Sequence, residues 1–211
     1  MSKLPGSVGE LNYARDASTS SVVDFLAQSI PQDRNSCIAV PGGSTPVPIL
    51  GELARRGLNL ARTTVYLTDD RIVPESHPAS NLGLVRFALA KTAAQIEPLV
   101  EGKVPPPFDL VWLGMGADGH IASLFPNTDP QSDAPGMVVR ITPDPLPPEA
   151  PFERLTLTLS ALVNCRQLML VLKGMEKKRI LDGAIAGEHD LPIARLLRAA
   201  DMPITIFWSE T

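Results

Sequence analysis

Apolar positions along the chain change their period repeatedly, and each change marks a boundary between elements. Val22, Val23, Leu26 and Ile30 recur at helical spacing, which predicts a helix over 18–28. Cys37-Ile38-Ala39-Val40 is a short apolar run closed by Pro41-Gly42-Gly43, the pattern of a buried strand over 37–40. A helix over 45–57 follows, with Ser44 as its expected N-cap and Pro46 in its first turn. The same alternation predicts a strand over 64–68, a helix over 81–90 and a strand over 109–113. Further on come strands over 154–159 and 168–172, helices over 176–186 and 192–200, and a closing strand over 204–208. Strands alternating with helices predict an α/β layer fold, Rossmann-like, with a mostly parallel central sheet. Ligands of such sheets bind beyond the carboxyl ends of the strands, so the chemistry is expected just after each strand.

Composition narrows this picture without redirecting it. The chain has 211 residues, 44% of them hydrophobic and 20% charged, which suits one compact domain over 1–211. Nineteen basic against 23 acidic residues give a net charge of −4, which offers no general surface for nucleic acid or an anionic membrane. An anionic ligand would need a local nest of positive groups. Two cysteines, Cys37 and Cys165, make no metal pattern and read as buried reduced thiols. The N-terminal residues lack an apolar targeting run and no window is long and apolar enough to span a membrane, so a cytoplasmic protein is expected. The 21 prolines imply tightly cut connections.

Four strand ends carry candidate chemistry. After the first comes Pro41-Gly42-Gly43-Ser44-Thr45-Pro46: two glycines let the backbone approach a ligand, and a helix start presents N–H donors behind them. It is neither a Walker A loop nor a dinucleotide fingerprint, and an ordinary capped turn would look similar. The second strand ends in Thr68-Asp69-Asp70-Arg71-Ile72-Val73-Pro74, followed by Ser80-Asn81. Such a cluster can be a solvated turn, but the planar fork of Arg71 matches phosphate oxygens. The third gives Gly114-Met115-Gly116-Ala117-Asp118-Gly119-His120-Ile121-Ala122-Ser123-Leu124-Phe125-Pro126. Three glycines around an aspartate and a histidine imply unusual backbone angles, and they place His120 as a candidate general base. In the fourth, Lys173-Gly174-Met175-Glu176-Lys177, a lysine in the first turn of a helix opposes the helix dipole, a cost that a bound anion would relieve. Lys178 and Arg179 are expected on the solvated face.

Taken in this order, the segments resemble the glucosamine-6-phosphate isomerase/6-phosphogluconolactonase family, on its lactonase side. The resemblance runs from about Ala39 to Trp208, and its most specific stretch is Gly114 to Pro126. It includes the strand opening at Arg154, Arg-Leu-Thr-Leu-Thr-Leu. It implies a three-layer α/β/α sandwich and hydrolysis of a sugar-phosphate lactone, 6-phosphogluconolactone, without metal or organic cofactor, by a monomer or weak homodimer. His120 would then draw a proton from water, and Asp118 would orient either the loop or the imidazole. N–H groups around Gly42 and Gly43 would hold the oxyanion, while Ser44 and Thr45 would support sugar or phosphate. Asp69, Arg71, Lys177 and Arg154 complete the implied substrate-binding set, with Arg71 and Lys177 on the phosphate; a strand arginine such as Arg154 can equally be structural.

Two alternatives belong beside it. The deaminase side of the family continues Asp-Gly-His-Ile-Ala-Phe-Asn-Glu-Pro, and its glutamate position is Phe125 here, which moves no proton. A non-catalytic sugar-phosphate-binding regulator would carry an added DNA-binding domain, for which this chain has neither the length nor the basic patch. The sequence departs from the family pattern where Asp70 replaces the usual glutamate, raising the question whether it buttresses Arg71. The stretch 91–108 is also abbreviated, with Pro105-Pro106-Pro107 where a helix is usual.

Overall fold

The computed structural model describes residues 10–127, 134–146 and 151–210. In chain order it runs β1 (Leu11–Tyr13), α1 (Thr19–Ser29), β2 (Ser36–Val40), α2 (Pro46–Arg55), β3 (Thr63–Leu67), β4 (Asp69–Arg71), α3 (Asn81–Ala88) and β5 (Gln95–Glu97). Next come β6 (Leu110–Leu113), β7 (Val138–Ile141), β8 (Arg154–Leu157), α4 (Leu159–Leu162), β9 (Leu168–Lys173), α5 (Met175–Ala186), α6 (Pro192–Ala199) and β10 (Ile204–Ser209).

Seven strands form one sheet in the order β1-β10-β9-β6-β2-β3-β5, and every pairing in it is parallel. The inner strands are apolar because they are covered on both faces: all four residues of β6 are buried, as are Ile38, Ala39 and Val40 of β2. From β2 the chain steps through α2 to β3 and through α3 to β5, moving toward one edge; from β9 it steps through α5 and α6 to β10, moving toward the other. Right-handed crossovers therefore put the two groups of helices on opposite faces of the sheet. Each helix turns an apolar stripe inward: Pro46, Ile49, Leu50 and Leu53 of α2, and Ile193, Ala194, Leu196 and Leu197 of α6. The strand order reverses between β6 and β2, and at such a switch point the loops leaving the strands diverge and open a crevice.

The α/β fold with a mostly parallel sheet agrees with the expectation from periodicity, and the differences are local. The span 154–159 is not one strand: β8 stops at Leu157, and the Thr158 hydroxyl accepts the Ala161 N–H to start α4. Moreover, β8 belongs to a separate antiparallel sheet, ordered β4-β8-β7. Ser44 is not the N-cap of α2: Thr45 holds that position, with no side-chain cap bond. Lys178 is not on a solvated face, because its ammonium bonds Asp182 at 2.5 Å and lies over the rings of Tyr13 and Trp208. Residues 95–97 of the abbreviated stretch form the edge strand β5. Both cysteines are free and partly buried, and burial pushes each thiol up to about 12. Among the described residues no helix is long and apolar enough to cross a membrane.

At the amino ends of the strands, buried Asp109 ties neighbouring segments together. Its carboxylate accepts the Cys37 N–H at 3.0 Å, bonds the Arg34 guanidinium and lies 3.3 Å from Arg166 Nε. Replacing it with alanine strips the acceptor from a partly buried N–H and from the guanidinium groups of two more exposed arginines. Asp109→Ala is expected to destabilise the protein by about 2 kcal/mol in urea unfolding, with an unchanged m-value.

Candidate active site

The loop after β2 is shaped by what its glycines avoid. A Cβ on Gly42 would lie 2.1 Å from Asn81 Cγ, so only glycine lets this backbone lie against the start of α3. Gly43 has φ +99°, a left-handed conformation that favours glycine. Helix α2 then begins with Pro46, and a second proline, Pro48, also lacks an N–H; the Val47 N–H is turned back to the Gly43 carbonyl at 3.4 Å. The N–H groups of Gly42, Gly43, Ser44 and Thr45 donate to nothing among the described residues. They are a small set of donors open to an anion or a developing oxyanion.

Strand β4 supplies three charged residues with three different surroundings. Asp69 is buried, and its carboxylate accepts the Ser123 hydroxyl at 2.6 Å. Asp70 does not touch the Arg71 guanidinium: it accepts the backbone N–H groups of Asn81 at 2.7 Å, Leu82 at 3.1 Å and Arg71 at 2.8 Å. It thus caps α3, and burial pushes its carboxyl up against the downward pull of those bonds. Arg71 donates from Nη1 to the Ala79 carbonyl at 3.1 Å and to Asn81 Oδ1 at 2.8 Å, while its buried Nε has no partner. Asn81 in turn donates its amide to the Asp69 carbonyl at 2.9 Å, so one side chain fixes both Arg71 and the strand end.

The glycine-rich loop after β6 holds the histidine. Asp118 Oδ1 lies 2.6 Å from His120 Nδ1 and accepts the His120 N–H at 3.2 Å. The imidazole bond pulls the Asp118 carboxyl below the usual range, so it is ionised and can only accept. The ring proton must therefore sit on Nδ1, which leaves Nε2 of the neutral ring with a free lone pair. A Cβ on Gly116 would fall 2.2 Å from His120 Nδ1 and 2.5 Å from Asp118 Oδ1, so glycine there is a condition of the contact. Phe125 lies against the imidazole, ring centroids 4.6 Å apart, and Ala122 takes an uncommon φ of +48° in the turn between them.

Arg154 stands directly opposite Arg71 in the antiparallel pairing of β4 with β8, so both side chains leave the same face. It is 5% exposed, with its guanidinium 5.4 Å from the centre of the Phe125 ring. The start of α5 is fixed by Gly174, whose N–H donates to Ser209 and whose carbonyl accepts Trp208 Nε1. That anchor places Lys177 in the first turn of the helix, close to the end of β9.

These segments meet in one cleft of about 300 Å³, beyond the carboxyl ends of β2, β6 and β9. Gly42, Gly43, Ser44, Thr45, Asp69, Arg71, His120, Arg154 and Lys177 all line it, and Asp118 stands behind His120. Two further lining residues with polar side chains were not assigned a role from sequence: Asn81, whose signal was its place in the Ser80-Asn81 pair, and Lys173, the last residue of β9. Among the described residues no group of three or more His, Cys, Asp or Glu side chains is placed to hold a metal ion. A base facing a set of free N–H donors, with cations beyond, can activate water against a carbonyl group in an anionic molecule.

The family model for glucosamine-6-phosphate isomerases/6-phosphogluconolactonase matches residues 13–103 and 88–206. The chain belongs to this family. Within it, the chain is 34% identical to a 6-phosphogluconolactonase of Pseudomonas aeruginosa, covering 98% of this chain and 97% of that protein. It is also 34% identical to a 6-phosphogluconolactonase of Mesorhizobium japonicum, covering 89% and 87%. A crystal structure of a 6-phosphogluconolactonase from Shewanella baltica superposes with TM-score 0.80 at 27% identity, covering 95% of this chain and 97% of that one. A monomeric glucosamine-6-phosphate deaminase superposes with TM-score 0.77 at 14% identity, a likeness of fold alone.

The Asp118–His120 contact can be tested apart from any activity. Imidazole ¹⁵N spectra at neutral pH are expected to show His120 as the Nδ1–H tautomer. Gly116→Ala should mix the two tautomers, because the new methyl group occupies the space in which the pair meets. An unchanged tautomer in that variant would contradict the geometry.

Proposed function

We propose that the protein hydrolyses 6-phosphogluconolactone to 6-phosphogluconate, as a cytoplasmic enzyme using neither metal nor organic cofactor, with His120 as general base. The single observation that carries this reading is the cross-strand pairing of Arg71 with Arg154 in the cleft that also holds the Asp118–His120 pair. Like charges directly opposite in a sheet are unfavourable by about 0.2–1 kcal/mol. A phosphate with about −1.5 to −2 charges at neutral pH is attracted by both. The buried, unpartnered Nε of Arg71 gives such an anion a further donor.

In this mechanism the phosphate anchors the substrate between Arg71, Arg154 and Lys177, and the lactone carbonyl turns toward the loop at Gly42 and Gly43. Nε2 of His120 takes a proton from water as its oxygen attacks the carbonyl carbon, and Asp118 stabilises the imidazolium that forms. The N–H groups of the glycine loop receive the charge that collects on the carbonyl oxygen. As the tetrahedral intermediate collapses, the bond to the ring oxygen breaks and the imidazolium returns its proton there, giving an open-chain hydroxy acid whose carboxyl group ionises. Asp69, held by Ser123, faces the sugar and can accept from its hydroxyl groups. Phe125 lies against the His120 ring at the position where the deaminase side of the family places its glutamate, which favours the lactonase reading.

The purified protein is expected to accelerate acid release from freshly made 6-phosphogluconolactone above its spontaneous hydrolysis, and to release no ammonia from glucosamine 6-phosphate. His120→Ala should keep the fold and lower kcat by about 10²–10⁴-fold. A near-normal kcat in that variant would remove histidine from the mechanism. Arg71→Ala should raise KM by about 10-fold or more, the worth of a charge-assisted hydrogen bond, with a smaller change in kcat.

A further inference from the structure

Arg71 is held from behind by the loop between β4 and α3, and that loop is folded around a second histidine. The Ala79 carbonyl accepts from Arg71 Nη1 at 3.1 Å, and the N–H of the same residue donates to His77 Nδ1 at 3.1 Å. An amide N–H can only donate, so His77 Nδ1 must be unprotonated and its ring proton must sit on Nε2. The backbone of His77 closes the loop on both sides, its N–H donating to the Pro74 carbonyl at 2.8 Å and its carbonyl accepting the Ser80 N–H at 2.9 Å. Its ring stands edge-on to Phe152, centroids 5.3 Å apart, two residues before Arg154. His77 does not line the cleft, yet it touches Ala79, whose carbonyl holds Arg71, and Phe152, which lies just before the strand that carries Arg154.

We propose that His77 is a positioning residue for Arg71: its neutral ring accepts the Ala79 N–H, sets the orientation of that residue and so aims the Ala79 carbonyl at the guanidinium. Without that acceptor the Ala79 N–H loses its partner and the loop loosens its hold on Arg71. Charged groups around the ring do not substitute for this contact. Glu75, on the same loop, is engaged by Arg86 at 2.5 Å, and Glu153, beside Phe152, is engaged by Arg140 at 3.3 Å and Thr142 at 3.1 Å. The inference rests on the reading of Arg71 as a phosphate ligand, and its consequence is that loss of the His77 acceptor weakens substrate binding and leaves the chemical step unchanged.

The test is steady-state lactonase kinetics on His77→Ala, His77→Asn, Arg71→Ala and the Arg71→Ala/His77→Ala double variant. At pH 8, His77→Ala is expected to raise KM about 3–10-fold with kcat within twofold, the size of one neutral hydrogen bond. Asparagine can present its carbonyl oxygen where Nδ1 stood, so His77→Asn should restore KM. In the Arg71→Ala background His77→Ala should add nothing. An equal KM effect in that background, or no effect in the wild type, would overturn the role of His77 and leave Arg71 as a ligand. An unchanged KM in Arg71→Ala alone would overturn the phosphate reading, and the inference with it.

Discussion

The parallel direction of all seven strands of the main sheet is the constraint on which the site depends. Parallel strands deliver their carboxyl ends to one edge, so the loops after β2, β6 and β9 meet there although they are distant in sequence. The reversal of strand order between β6 and β2 separates two of those loops and leaves the cleft between them. The opposite edge serves stability, since Asp109 gathers Arg34, Arg166 and the Cys37 N–H there, away from the candidate chemistry. One end of the sheet is tied by buried electrostatics, and the other keeps backbone donors and cations open.

The antiparallel ribbon β4-β8-β7 does what the parallel sheet cannot. Antiparallel partners place side chains directly opposite one another, and here the opposed pair is Arg71 and Arg154. Two residues along, the pair Asp69 and Thr156 carries the support of the histidine loop: Ser123 donates its hydroxyl to Asp69 and its N–H to Thr156. The ribbon thus connects the cationic part of the cleft to the loop that bears His120. A shift of its register by one residue would turn the arginines to the other face and remove both contacts to Ser123.

Much of this was legible in the sequence, for reasons that are local. The buried runs of β2, β6 and β9, and the glycines that follow them, are statements about backbone angle and burial that need no distant partner to be understood. Four of the short strands were not legible: β1, β4, β5 and β7 have three or four residues and, unlike four-residue β6, no continuous buried run, so they are strands only because a partner lies alongside. For the same reason the pairing of Arg154 with Arg71 could not be read from spacing. Ser44 and Asp70 depend on geometry that spacing does not carry: Ser44 precedes the cap position that Thr45 takes, and Asp70 turns away from its neighbour's guanidinium toward the start of α3.

A net charge of −4 and a cleft for an anion are compatible because the acids near the cleft are each committed elsewhere. Asp69 is bonded by Ser123, Asp70 by three backbone N–H groups, and Asp118 by the imidazole and N–H of His120. None of these bonds consumes a cleft cation. Arg71 is oriented by a carbonyl and an amide oxygen, both neutral, so its full charge remains for a ligand. Neutral acceptors for the cation and neutral donors for two of the acids are therefore the device that separates local field from net charge. The exception is Asp118, whose charge lies against His120 Nδ1 and holds the ring proton there.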